Sequence, residues 1–126
     1  KGRDFEILRK LLEEYHLEKV TEGSNMLKTT INLLINNKEL INSSNKIYLF
    51  GSYVSGNATK DSDIDILFVN EDRRLVGKAC REISVIIGNE LSPLIYAKSK
   101  FKSDISKKEP LLDSIVNNVK NRVVIK

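Results

Sequence analysis

Apolar residues recur through the first twenty positions at three- and four-residue spacings, at Phe5, Leu8, Leu11, Leu12, Tyr15 and Leu17. That repeat belongs to an amphipathic helix and predicts one from Arg3 to Val20, with charges on much of the other face. Thr21-Glu22-Gly23 interrupts the pattern, and Ser24 stands where an N-cap would open a second helix running to about Ile41. Met26, Leu27, Ile31, Leu34 and Ile35 supply its apolar stripe. The second helix is expected to pack on the rest of the fold. The first has three outlets: packing on a sheet, a dimer surface, or a connector to another domain.

Beyond a polar turn at Asn42–Asn45 the rhythm changes. An apolar run, Tyr48-Leu49-Phe50, stops at Gly51-Ser52; a polar loop follows; Asp63-Ile64-Asp65 then opens a second apolar run ending at Val69. Asn70–Asp72 reads as a loop, and Arg73 to about Ile87 as a helix with Leu75, Ala79, Ile83 and Ile86 along one side. Gly88-Asn89 suits its C-terminus. Leu91–Ala97 reads as a third strand, at an edge or a bulge because of Pro93. Lys98–Lys108 holds five lysines and reads as a solvated face. Glu109-Pro110 opens a last helix with Leu111, Leu112, Ile115, Val116 and Val119 inward, and Arg122–Lys126 is a short β-like segment placed to close the sheet edge. Strand, short helix, strand, helix, strand implies an α/β (α+β) fold with helices against a small mixed sheet. The division expected is an N-terminal helical extension over 1–42 and a domain over 43–126.

Candidate chemistry sits in the two apolar runs. Side chains two apart on a strand share a face, so Asp63 and Asp65 stand side by side at the start of a largely buried segment. Two anions there repel and lose solvation, which calls for positive compensation. Mg²⁺, which takes one or two carboxylates plus substrate phosphates, answers that need. Gly51 lets a backbone turn approach a ligand closely, and a short helix starting at Ser52 would add N–H groups and a hydroxyl for a phosphate. Walker A is excluded, since Asn57-Ala58 stands where Lys-Ser/Thr is required, and an EF-hand is excluded because Ile66 occupies its glycine position. A surface hairpin that merely carries acids, the commonest fate of an isolated Asp-x-Asp, stays open on these residues alone.

Leu49-Phe50-Gly51-Ser52, a ten-residue loop, and Asp63-Ile64-Asp65 with Ser62 before the pair and apolar residues after it resemble the signature of the nucleotidyltransferase superfamily that includes DNA polymerase β. The match is similar to small prokaryotic minimal nucleotidyltransferase-domain proteins, some of which are paired with HEPN-type toxins. The resemblance implies a nucleotidyltransferase fold and a transfer of a nucleoside monophosphate from a nucleoside triphosphate to a hydroxyl acceptor. It implies that Gly51 and Ser52 bind the nucleotide and that Asp63 and Asp65 are catalytic and hold Mg²⁺ or Mn²⁺. Members that are active usually place a third carboxylate on the third strand, where this chain has Glu90-Leu-Ser-Pro-Leu-Ile-Tyr-Ala97, with Glu90 too early; many also carry Arg where Ser55 stands. Those departures keep open an alternative, a nucleotide-binding regulatory or antitoxin-like protein of impaired catalysis, within a larger DNA-binding regulator or beside a partner protein. A homodimer is a further expectation.

Composition narrows this little. At 126 residues the chain fits one domain, and 40% hydrophobic with 30% charged residues is ordinary for a water-facing globular protein. No apolar run approaches the roughly 18 residues of a membrane span. The single Cys80 suits a reducing, cytoplasmic setting, and the net charge of +4 is too small to argue for nucleic acid by itself. His16, the one histidine, reads as a surface or packing residue. Lys1 in place of Met suggests that a preceding piece is not shown.

Overall fold

A computed structural model of the protein describes residues 2–21 and 24–126. Three helices, α1 (Gly2–Thr21), α2 (Asn25–Asn36) and α3 (Lys38–Ser43), lead into strand β1 (Lys46–Phe50). A one-turn helix α4 (Ser52–Ser55) and a loop connect it to β2 (Ile64–Val69), helix α5 (Arg73–Ile87) crosses to β3 (Leu91–Tyr96), and α6 (Lys98–Ser106) and α7 (Pro110–Val116) precede β4 (Arg122–Val124).

The strands form one sheet in the order β3-β2-β1-β4. β1 runs antiparallel to β2 and β4, while β2 and β3 are parallel, the α5 crossover allowing the parallel pair. The sheet is therefore mixed, and β3 lies on its edge, where an exposed Pro93 breaks no ladder. β4 forms the opposite edge, as its Val-Val sequence foretold.

Alternation along the strands divides the core into two layers. Ile47, Leu49, Ile64, Ile66, Phe68, Leu91 and Val123 face α2, α3 and α5 in the larger one. Tyr48, Leu67, Leu94 and Val124 face α6 and α7 in the smaller, through Phe101, Leu112 and Ile115. Cys80 lies in the larger layer, where burial pushes its thiol up to about 12 and keeps it unreactive.

Several elements depart from the sequence reading for local reasons. The predicted second helix divides at Asn37, whose N–H caps α2 on Leu34 O while its side chain accepts from Leu40 N, 3.1 Å away, and starts α3. Helix then continues to Ser43, through half of the expected turn. Ile35 is exposed, and Thr30 takes a core position by donating its hydroxyl to Met26 O at 2.8 Å. In α5 the buried stripe is Val76, Ala79, Cys80 and Ile83; Ile86 faces solvent. The lysine run is solvated as expected, but it coils into α6, whose Asp104 is buried and paired with Lys100 at 3.1 Å. The last helix stops at Val116, leaving Val119 in a 3-10 turn, and Leu111 is exposed. Glu22 and Gly23, within the predicted break, lie outside the described residues.

For helix α1, whose packing the sequence left open, most of the apolar stripe stays uncovered. Leu17 packs against the larger core, whereas Phe5, Leu8, Leu11, Leu12 and Tyr15 remain about half to two thirds exposed. The helix is instead held from its flank by Glu13, which pairs with the buried guanidinium of Arg122 on β4. Among the described residues no helix is long and apolar enough to cross a membrane.

Candidate functional site

Where β1 ends and β2 begins, the antiparallel register sets Phe50 opposite Asp65. The chain must then leave the sheet, and Gly51 does so at φ 84°, ψ −157°, a conformation nearly confined to glycine. Glycine is required twice over, because a Cβ at this position would overlap Asp65 Oδ2 and lie 3.1 Å from its Cγ. Backbone and carboxylate thus meet with nothing between them. Gly51 O accepts from Val54 N and Ser55 N, both at 3.0 Å, which folds Ser52–Ser55 into one helical turn. A second positive φ at Gly56 lets the loop leave that turn.

Asp65 is half-buried on β2, and Asp63, two residues earlier, is exposed. Burial, and after it the negative charge of Asp63, raises the Asp65 carboxyl above its ordinary value. Asp63 stands just before β2 rather than on it, but its charge reaches the Asp65 carboxyl, which is uncomfortable as an anion. A cation supplied from outside would relieve both effects, so the donor set fits one hard divalent ion. Among the described residues no third His, Cys, Asp or Glu joins them.

Parallel pairing of β2 with β3 decides what stands beside this pair. Asp65 registers with Ser92, and the Ser92 hydroxyl donates to Asp63 Oδ2 at 3.2 Å. The sequence reading looked for an acid here and passed over the serine, since a parallel register across a helix crossover cannot be counted from sequence. Glu90 precedes β3; its carbonyl accepts from Ile64 N at 2.9 Å, and its exposed side chain completes no metal-ligand group.

A shallow cleft of about 220 Å³ opens beside Gly51, between Phe50 and Ser55 on one side and Leu111 and Ile115 of α7 on the other. The three predicted segments, Gly51-Ser52, Asp63-Asp65 and the head of β3, thus converge on one end of the sheet.

A family model described as nucleotidyltransferase domain matches residues 33–126, which include every residue of this site. The chain belongs to that family. None of the curated proteins matches it. Among solved structures, one titled as a toxin–antitoxin with AMP-PNP is similar at 22% identity, covering 81% of this chain and 73% of that one with a TM-score of 0.52. A candidate nucleotidyltransferase from Sulfolobus solfataricus is 19% identical, covering 81% of this chain and 86% of its own, with a TM-score of 0.36. At these identities the first likeness is one of fold. The mixed sheet flanked by helices is the nucleotidyltransferase fold expected from the motif.

Proposed function

We propose that this nucleotidyltransferase-domain chain transfers a nucleoside monophosphate from a nucleoside triphosphate to a hydroxyl acceptor at the Gly51–Asp65 junction. The observation that carries the reading is the absence of any side chain between the Gly51 backbone and the Asp65 carboxylate. Asp63 and Asp65 would hold Mg²⁺ or Mn²⁺, which when bound supplies charge neutralisation for the triphosphate and activation of the acceptor hydroxyl. Gly51 and Ser52 position the β- and γ-phosphates by presenting backbone and hydroxyl groups where no Cβ intrudes. In the step itself the acceptor oxygen bonds to the α-phosphorus, the bridging α–β P–O bond breaks, and pyrophosphate leaves; the acceptor proton passes to solvent, because Ser92 offers no carboxylate to receive it. Asp63 stays oriented by the Ser92 hydroxyl throughout.

Calorimetric titration of the chain with ATP, GTP, CTP and UTP, each with and without Mg²⁺, tests the site. Metal-dependent binding that disappears in Asp63→Asn supports it, and binding of no triphosphate overturns it. The fold-level likeness to a structure containing AMP-PNP makes ATP the first ligand to try.

Ser92 motivates a second reading, a nucleotide-binding regulatory or antitoxin-like protein acting with a partner such as a HEPN-type toxin. Its signature is metal-dependent nucleotide affinity with no pyrophosphate released in the presence of any hydroxyl acceptor or partner.

A further inference from the structure

The turn from α5 into β3 touches both halves of the Gly51–Asp65 junction. Asn89 Oδ1 accepts from Glu90 N at 2.8 Å, which orients the amide so that its Nδ2 donates to Tyr53 Oη at 2.9 Å. Tyr53 belongs to α4, one residue after Ser52, and its partly buried ring packs against the larger core. Glu90, the next residue of the turn, gives its carbonyl to Ile64 N at 2.9 Å, directly after Asp63, and Ser92 Oγ reaches Asp63 itself. The loop between the halves is tied to the same tyrosine. Its hydroxyl lies 3.5 Å from Thr59 O, and Thr59 N donates to Ser62 Oγ at 2.9 Å, beside Asp63.

The sheet register fixes where Gly51 leaves β1, but not the direction in which the turn after it points. α4 has four residues and no side-chain cap at Gly51, too little to hold its own direction in water. Val54 is buried and seats the turn in the core, an apolar contact that sets depth, whereas a hydrogen bond sets direction. We propose that Asn89, through the Tyr53 hydroxyl, is a positioning residue that aims the Ser52 turn at the space beside Asp63 and Asp65, where the β- and γ-phosphates of a metal-bound triphosphate would lie. The proposal rests on the reading of the junction as a nucleotide site. Neither side chain acts on substrate directly: the Tyr53 ring packs on the layer of Ile64 and Ile66, and Asp65, alternating with them, faces the opposite side of the sheet. The link works through α4.

Tyr53→Phe removes the hydroxyl and keeps the ring in the core, while Asn89→Ala removes the donor. Calorimetric titration with ATP and Mg²⁺ should show each variant binding roughly 3- to 10-fold more weakly than the wild type, the worth of one hydrogen bond. The double variant should bind no more weakly than Asn89→Ala alone, because the two residues make one link. Amide hydrogen exchange read by NMR follows the turn in the folded protein. Val54 N–H and Ser55 N–H, both bonded to Gly51 O, should exchange faster in either variant while the amides of β1 and β2 keep their wild-type protection. Unchanged affinity with a lowered urea midpoint would overturn the proposal by making the bond structural only. Losses that add in the double variant, or unaltered exchange at Val54 and Ser55, would overturn it as well. A wild type that binds no triphosphate removes the nucleotide site and the proposal together, whereas equal binding by wild type and variants strikes the proposal and leaves the site standing.

Discussion

Gly51 has no room for a side chain because the Asp65 carboxylate occupies the space its Cβ would fill. The close approach and the φ of 84° act together, so Gly51→Ala should be destabilising by about 1–3 kcal/mol for the backbone conformation alone. Nucleotide binding should fall with it, since Asp65 must move aside. Chemical denaturation of Gly51→Ala, Asp65→Gly and the double variant separates the two effects: the double variant should recover the cost of the overlap and retain the cost of the backbone. Simple additivity would mean that Gly51 and Asp65 do not interact.

Asp65 carries a raised pKa, and the sign of its contribution follows. Below the ordinary carboxylate value both folded and unfolded chains are protonated there, and stability is fully present. As pH rises through the elevated folded value, the native state is ionised at a cost the unfolded state avoids, and stability is lost. Asp65→Asn should therefore be more stable than the wild type at neutral pH and lose that advantage at acid pH, while abolishing metal-dependent nucleotide binding. Denaturant midpoints at two pH values check this. An Asn variant that unfolds at neutral pH would make the carboxylate structural.

Ser92 should be the position at which the site is most easily strengthened. Replacing it with Asp puts a third carboxylate in register with Asp65 and next to Asp63, raising the repulsion in metal-free protein. Ser92→Asp should lower stability without divalent ions and regain it when Mg²⁺ or Mn²⁺ is added. If the wild type lacks only a proton acceptor, pyrophosphate release should rise by roughly 10²-fold, the range of general-base catalysis. Loss of metal binding in this variant would show that the Ser92 hydroxyl is needed to orient Asp63.

How much of this could be read from the chain depended on whether the information was local. The junction was legible because apolar run, Gly51-Ser52, loop and Asp63-Ile64-Asp65 lie in consecutive stretches, which bring the Asp63 charge within reach of Asp65. Ser92 was not, because its place beside Asp65 comes from a parallel register set by the packing of α5. The periodicity of α1 gave the helix correctly and left its packing open, because an apolar stripe does not say whether what covers it belongs to the same chain. Arg122, at the start of the β-like terminal segment, carries no local sign that it is buried, yet it is 2% exposed.

That arginine fastens three elements. Its side chain is 2% exposed; Nη1 donates to Ile115 O at 3.3 Å and Val116 O at 2.6 Å, the last carbonyls of α7, and Nη2 donates to Glu13 of α1. Arg122→Met keeps the volume but strands those acceptors, and should be destabilising by about 3 kcal/mol, as when one partner of a buried pair is removed. Glu13→Gln should cost less, because α7 continues to hold the guanidinium and Glu13 itself is 24% exposed. His16 reports on the same junction: its Nε2 is buried with no hydrogen-bond partner among the described residues, and burial together with the Arg122 charge lowers its pKa. Stability from this group is present above the ordinary histidine value and is lost as pH falls through the lowered folded value, since the unfolded chain takes up the proton first. Wild type should therefore weaken below about pH 6.5, and His16→Gln should flatten that part of the profile; urea midpoints across this range that run parallel for the two proteins would show that His16 does not sense Arg122.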